Sequence, residues 1–169
     1  MNHSIRFTLV LLFISMSSYG QTATDSTLFD FWVGTWDAVW KNPDGTTGKG
    51  INHITKILEG KVIQENFVDP TPGSLKGTSI SVYHTATKTW RQAWADNQGG
   101  YYNLEGGVEN GKRFFRTQLR EQDGKKMFQR MVFYDIKSGS FTWDWESTTD
   151  GGKTWTLQWR INYTKVKAG

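Results

Sequence analysis

The sequence predicts an all-β protein, an antiparallel up-and-down β-barrel of about ten strands. Nine tryptophans and 18 glycines stand out among 169 residues, and Asn-Gly or Asp-Gly turns separate runs of alternating polar and apolar residues. No segment is suited to a long crossover helix, so consecutive strands are expected to pair as a meander. Closure into a barrel would remove the two free edges of such a sheet. A two-sheet sandwich is the alternative.

The first twenty residues have the features of a secretory signal peptide. Arg6 supplies a positive charge, residues 7–16 form an apolar run, and small residues lead up to Gly20. The run is too short to cross a bilayer as a helix. We therefore expect cleavage between Gly20 and Gln21, a secreted or periplasmic location, and one barrel domain over residues 21–169.

Composition excludes several classes of function. The absence of cysteine excludes disulfide bonds, thiolate metal sites and a cysteine nucleophile. The formal net charge is +4, but the basic residues are scattered among acidic ones, so no nucleic-acid partner is expected. No segment after the signal approaches the length of a membrane-spanning helix, so no integral membrane association is expected. His53 and His84 lack a metal-ligand spacing, and no phosphate-binding loop is present, so the sequence predicts no cofactor.

The predicted elements follow one another with short connections. Asp25 or Ser26 could cap a short helical turn that ends near Trp32. Only residues 69–76, which contain two prolines, have the composition of a longer loop. The predicted strands are Thr35–Lys41, Gly48–Leu58, Lys61–Val68, Thr78–His84, Trp90–Ala95, Tyr101–Val108, Arg113–Arg120, Met127–Tyr134, Phe141–Ser147 and Trp155–Val166.

A pair of tryptophans recurs at the start of three predicted strands. The three copies are TWDAVW at 35–40, TWRQAW at 89–94 and TWTLQW at 154–159. Strand positions four apart share a face and lie roughly 13 Å apart, so each copy should place two indoles on one face of its strand. Trp143 and Trp145 form another same-face pair.

Several ordered blocks of sequence carry a resemblance to known proteins. The blocks are FDFWVGTW (29–36), GINHI (50–54), VIQEN (62–66), WRQAWAD (90–96), LEGG (104–107) and STTDGGKTW (147–155). Together they resemble the lipocalin-like (calycin-type) β-barrels, and most specifically an uncharacterised bacterial family of secreted proteins that is defined as a domain of unknown function. The resemblance spans almost the whole chain after the signal and implies the fold, but it brings no established activity.

The resemblance also implies a contact at the base of the barrel. Lipocalins open their first strand with Gly-x-Trp, which Gly34 and Trp36 match. They usually pack an arginine or lysine from late in the chain over this tryptophan. Arg160 and Lys165 are the two candidates for that role.

The predicted function is binding of a small apolar or amphipathic molecule in an aromatic-lined cavity. Indoles offer large flat surfaces, and a barrel of this size is wide enough to hold a small ligand. Polar residues within apolar strand runs could orient the ligand, with Arg130 as the preferred anchor for an anion, although a shift of one residue would place Arg130 on the solvated face. The candidate site residues are Trp36, Trp40, Glu65, Gln92, Trp94, Arg130, Trp143 and Trp145.

Two other classes of function stay open. Asp144 and Glu146 share a strand face roughly 7 Å apart, a separation compatible with an inverting glycosidase. Residues 148–155 match the Asp-box pattern, and a single copy of this pattern is more typical of a structural hairpin than of a propeller. A carbohydrate-binding or weakly carbohydrate-active protein is therefore the second class of function. The sequence identifies no specific enzyme activity. The third is a structural or interaction barrel filled by its own side chains.

Overall fold

A computed structural model describes residues 25–167 as a closed antiparallel β-barrel entered through one short 3-10 turn. The predicted signal peptide lies outside the described residues. The elements are the 3-10 turn Asp30–Trp32 and the strands β1 Gly34–Lys41, β2 Thr47–Ile57, β3 Val62–Val68, β4 Lys76–His84, β5 Thr89–Asp96, β6 Tyr101–Glu109, β7 Lys112–Thr117, β8 Arg120–Gln122, β9 Lys125–Lys137, β10 Ser140–Thr148 and β11 Thr156–Lys165.

Strands that follow one another in the chain are also neighbours in the barrel, except that β7 pairs with β9 past the short β8, and β1 pairs with β11 to close the barrel. Ten strands form the wall, because β8 pairs only with the beginning of β9 and lies outside the closed ring. The predicted meander barrel is confirmed. Several strand ends differ from prediction by one to three residues, and one predicted strand is divided: the strand expected over Arg113–Arg120 is interrupted after Thr117, and its last residue begins the short β8 hairpin.

The interior is built by alternation along the strands, most regularly in β1. In β1, Trp36, Ala38 and Trp40 are buried, whereas the residues between them are exposed. This pattern is what a strand with one face on the core requires, so the same-face prediction for the first tryptophan pair is confirmed. The second pair behaves alike, with both indoles directed into the barrel from β5.

We call the barrel end beneath the 3-10 turn the closed end. Aromatic rings from the turn pack against rings from the strands: Phe29 stacks on Phe115 at 4.4 Å, and Trp32 meets Phe133 edge-on at 5.3 Å between centroids. The Trp36 indole N–H donates a 2.8 Å hydrogen bond to the carbonyl oxygen of Trp32. The donor of this buried indole is therefore paired, and the turn is fixed to the first strand.

A lysine covers the opening tryptophan at the closed end. Lys165 Nζ lies 5.3 Å from the ring centroid of Trp36, because the pairing of β1 with β11 sets the two residues opposite each other. Arg160, the other candidate, instead forms a bidentate pair with Asp144 at 2.7 Å. The structure thus selects Lys165 for the cation–π contact.

The third tryptophan pair does not share a face. A register shift leaves one extra residue in β11, since Trp159 pairs with Trp145 whereas Leu157 pairs with Glu146. A β-bulge of this kind reverses the alternation beyond it. Trp159 consequently points into the barrel, whereas Trp155 packs outside it against Phe128, and the same-face prediction is wrong for this copy.

Candidate functional site

The barrel encloses a cavity of about 170 Å³ that opens at the end opposite the 3-10 turn, which we call the open end. Its wall is mostly aromatic and aliphatic, and its polar atoms come from few side chains. The lining residues are Glu65, Phe67, Leu75, Trp94, Asp96, Tyr102, Leu104, Met131, Trp143, Trp145, Trp159, Ile161 and Tyr163.

Aromatic rings from β6, β10 and β11 form part of the wall near the mouth. Trp143 and Trp145 alternate inward on β10 and lie parallel, with 6.4 Å between centroids and 8° between planes. Trp159 meets Trp143 at 87°, and Tyr102 meets Trp145 at 67°. These edge-to-face contacts hold the rings at fixed angles around the space between them.

Glycines on neighbouring strands make room for two tryptophans of the open end. A Cβ atom added at Gly48 would lie 2.1 Å from the Trp40 ring, and one added at Gly77 would lie 2.1 Å from the Trp94 ring. Each indole therefore lies flat on bare backbone. Any side chain at either glycine would push the indole away from the wall, and for Trp94 that means into the cavity.

Glu65 is the polar group at the floor of the cavity. It is 6% exposed, Asn52 Nδ2 donates to its Oε1 at 2.7 Å, and Ser79 Oγ donates to its Oε2 at 2.7 Å. Burial raises the pKa of Glu65 to about 7, and the two hydrogen bonds offset only part of that effect. The carboxyl therefore keeps its proton to a higher pH than an exposed glutamate does.

Further buried polar groups lie behind this carboxyl and hydrogen-bond to its partners. Gln92 Nε2 donates to Ser81 Oγ at 3.0 Å and to Ser79 Oγ at 3.3 Å, so Gln92 reaches Glu65 through Ser79. Tyr163 lines the cavity beside Glu65, and burial followed by the charge of Glu65 raises the pKa of its hydroxyl. Within residues 25–167, Asn52 Oδ1 and Gln92 Oε1 are buried acceptors without a hydrogen-bond donor.

Asp96 places a second carboxylate at the mouth. It accepts hydrogen bonds from Trp94 Nε1 at 2.9 Å and from the amides of Gln98 and Gly100. Partial burial acts to raise its pKa, but these hydrogen bonds outweigh burial and leave the pKa below its ordinary value. Asp96 is therefore charged at neutral pH and also fixes the Trp94 ring.

The structure brings four of the predicted site residues together around the cavity, namely Glu65, Trp94, Trp143 and Trp145. The other four lie elsewhere. Trp36 belongs to the packed closed end, and Gln92 lies behind the floor. Trp40 is at the open end but is covered by Phe67 and Trp159.

Arg130 lies on the outer face of β9, so its expected inward orientation is wrong. Its Nε donates to Glu146 Oε2 at 2.8 Å, and its guanidinium stacks on Trp155 at 3.5 Å from the ring centroid. Met131, the next residue, faces the cavity instead. Because strand faces alternate, one residue of register decides the orientation.

Several lining residues were missed, although the alternation rule could have identified them. Phe67 lies two positions after Glu65, and so shares its face of β3. On β11, Trp159, Ile161 and Tyr163 alternate inward in the same way once the bulge has been passed. Leu75, at the end of a loop, carries no sequence signal of this kind.

The two carboxylates considered for glycoside hydrolysis lie on the outer face, and each is paired with an arginine. Asp144 is 3% exposed and accepts from Arg160 and, at 3.1 Å, from the Tyr134 hydroxyl. Burial, together with the charge of Asp144, raises the pKa of Tyr134 to about 12. Glu146 is paired with Arg130. Both carboxylates therefore belong to ion-pair networks on the outer face of the barrel.

The Asp-box-like segment forms a hairpin loop centred on Asp150. Its carboxylate accepts from the amides of Lys153 and Thr154 and from the hydroxyls of Thr148 and Thr154. These hydrogen bonds hold the pKa of Asp150 far below its ordinary value. All of these partners lie within the loop, which agrees with the structural interpretation of the motif.

No family model matches the chain, and no curated protein matches it significantly. Within residues 25–167 there is no cluster of three or more metal-ligating side chains. The same residues include no helix with the length and apolar character to span a bilayer.

Proposed function

We propose that this protein binds a small amphipathic molecule inside the barrel, with its apolar part between the rings of the open end and its polar part at Glu65. The observation that carries the proposal is the cavity itself, which combines an aromatic wall with one buried carboxyl at its floor. A few polar groups in an apolar pocket are typical of sites for small organic ligands. The proposal includes an exported location and kinship with lipocalin-like proteins.

The cavity volume limits the ligand. At about 170 Å³ it is similar in size to an engineered cavity of about 150 Å³ that holds benzene, and smaller than the roughly 300–1,000 Å³ typical of drug-sized ligands. A molecule with a single ring or a short chain therefore fits. A sterol, a haem or an extended fatty acid is too large to enter as a whole.

The structure favours this proposal over the two alternatives. All nine tryptophans lie among the described residues, and each is buried or half-buried, so none offers the exposed flat platform on which a sugar ring could stack. A barrel filled by its own side chains would leave no cavity. The carbohydrate alternative therefore lacks an exposed tryptophan platform, and the structural alternative lacks a filled interior.

A pair of tryptophan substitutions tests the proposal. Trp145 and Trp155 are both half-buried, but only Trp145 lines the cavity, whereas Trp155 lies on the outer face. In calorimetric titrations with single-ring probes, Trp145→Ala should weaken binding about tenfold or more, because it removes one wall of the site. Trp155→Ala should leave the affinity within about twofold of the unsubstituted protein. Equal effects of both substitutions, or no binding of any single-ring probe, would contradict the proposal.

The exported location requires a separate measurement. Mass spectrometry of protein recovered from the extracytoplasmic fraction should give a chain that begins at Gln21. Recovery of the full-length chain in the cytoplasm would contradict export without affecting the proposed binding site.

A further inference from the structure

The charges around the cavity have one sign. Its lining contains two acidic residues, Glu65 at the floor and Asp96 at the mouth. None of its lining residues is a lysine, arginine or histidine. Arg130, which the sequence placed there as an anchor for an anion, lies outside the barrel wall. The ionisable acidic and basic side chains that line the cavity are therefore carboxyls only, which favours a positively charged ligand over a negatively charged one.

The rings of the wall also favour positive charge. The face of an indole or phenol ring is the negative part of its quadrupole, and a cation within about 6 Å of the ring centroid is attracted to it. Trp143 and Trp145 present parallel rings, with Trp159 and Tyr102 set at steep angles to them. Rings from three directions therefore border the same space, as in the aromatic cages that bind organic ammonium groups.

The carboxyl at the floor has only neutral side chains as its hydrogen-bonding neighbours. The groups that face Glu65 are Asn52 from β2, Ser79 from β4 and Tyr163 from β11, and all of them are neutral in their ordinary state. The Glu65 carboxylate therefore has no cationic partner among residues 25–167. Two further buried acceptors, Asn52 Oδ1 and Gln92 Oε1, also lack a donor within the same part of the chain, but neither residue lines the cavity, so the argument for a cation rests on Glu65. An ammonium group supplies both a positive charge and donors.

From this combination we propose that the preferred ligand is a small organic ammonium ion, bound with its charged nitrogen at Glu65 and its apolar part among the open-end rings. The inference rests on the proposed function, since it assigns a charge to the ligand of the same site. It predicts discrimination among molecules of equal size by charge alone.

Proton release should accompany binding of the cation. Burial raises the pKa of Glu65 to about 7, so below that pH the carboxyl carries a proton that the ligand must displace. The affinity should therefore rise about tenfold per pH unit well below pH 7 and level off above it, until the ligand amine itself loses its proton. Asp96, whose pKa is lowered, stays charged through this range.

Three probes of nearly equal size test the inference by calorimetry at about pH 8, namely benzylammonium chloride, benzyl alcohol and sodium benzoate. Benzylammonium should bind at least about tenfold more tightly than benzyl alcohol, and benzoate should bind most weakly. Tighter binding of benzyl alcohol or benzoate would overturn the inference and leave the proposed function standing. Failure of all three to bind would contradict both.

A matched pair of variants locates the effect. Glu65→Gln should lower the affinity for benzylammonium at least about tenfold and change that for benzyl alcohol less than about twofold. Glu105→Gln removes the same charge from an exposed position on the outer face of β6 and should leave both affinities unchanged. If Glu65→Gln binds benzylammonium as tightly as the unsubstituted protein does, the inference is wrong.

A measurement on the unsubstituted protein keeps the test decisive if the Glu65 variant does not fold. Titrations with benzylammonium at about pH 6.5, in two buffers of different ionisation enthalpy, report the protons released on binding. About half a proton or more per ligand should appear at this pH, and none with benzyl alcohol. Equal proton release for the two probes would overturn the inference.

Discussion

The two ends of the barrel use the same kind of side chain for different purposes. At the closed end, Trp36 is 1% exposed and its N–H bonds to the 3-10 turn. At the open end, Trp94 is half-buried and lies on a glycine, and its N–H bonds to a mouth carboxylate. On β5, only four positions separate Trp90, which packs against Phe29 at the closed end, from Trp94, which lines the cavity. Tryptophan content alone therefore does not reveal a binding site; position along the strand does.

The largest expected difference between the ends is in stability. Trp36→Ala should lower the free energy of unfolding by about 3–5 kcal/mol, because it leaves a void among packed rings and removes the partner of the Trp32 carbonyl oxygen. Trp145→Ala at the open end should cost clearly less, because its ring already borders a cavity. Urea unfolding of both variants measures the difference, and equal losses would contradict the division between the ends.

The floor of the open end should make stability depend on pH. Glu65 binds its proton more tightly in the folded state, with a pKa of about 7 against an ordinary value of 4.5, so the free energy of unfolding should fall as pH rises from about 4.5 to about 7. The loss attributable to Glu65 is about 3 kcal/mol, and above that pH it should level off. Urea midpoints measured against pH should lose this component in Glu65→Gln; identical profiles for both proteins would show that the carboxyl titrates normally.

The glycine beneath Trp94 should be intolerant of even one carbon atom. Gly77→Ala should destabilise the fold by about 1–3 kcal/mol and shift tryptophan fluorescence, because the indole must leave the wall. Gly139→Ala is a suitable control, since no atom lies within 4 Å of its added Cβ, and it should change stability by less than about 0.5 kcal/mol. If both variants are equally stable, Trp94 is not held as described.

The smallest expected effect is at the closed end. Lys165→Met keeps most of the side-chain stem but removes the charge above Trp36, and it should lower the free energy of unfolding by about 0.5–1 kcal/mol. Lys49→Met, on an exposed position of β2, provides the comparison and should have almost no effect. A difference near zero between the two variants in urea unfolding would assign Lys165 a role in packing only.

The fold was largely predictable because local signals agree with one another. Turn pairs such as Asp44-Gly45 mark the hairpins, and the alternation in β1 fixes its buried face. Glu65 could be found as a polar residue between Ile63 and Phe67, within a buried strand. The pattern within one strand was sufficient to predict which side chains face the interior wherever the strand alternates from end to end.

The site was less predictable because it depends on contacts between strands. The outward orientation of Arg130 follows from the register of β9 against its neighbours, which no single strand reveals. The glycines that hold Trp40 and Trp94 matter only through rings on another strand. The outward turn of Trp155 depends on one residue that pairs with nothing opposite. Each of these features is a property of two strands together, whereas sequence patterns describe one strand at a time.

The bulge in β11 changes which positions along the strand share a face: on opposite sides of it, residues an even number of positions apart point in opposite directions. One unpaired residue between Leu157 and Trp159 assigns Trp155 to the outer surface and Trp159 to the ligand chamber, although their spacing equals that of Trp36 and Trp40. Deletion of this one residue would exchange the outer face and the cavity lining for the residues on one side of the bulge, although none of those residues would be substituted. The number of residues in this short segment therefore decides which side of the barrel wall each tryptophan occupies. A sequence alignment that ignores an insertion or deletion there would place Trp155 or Trp159 on the wrong side.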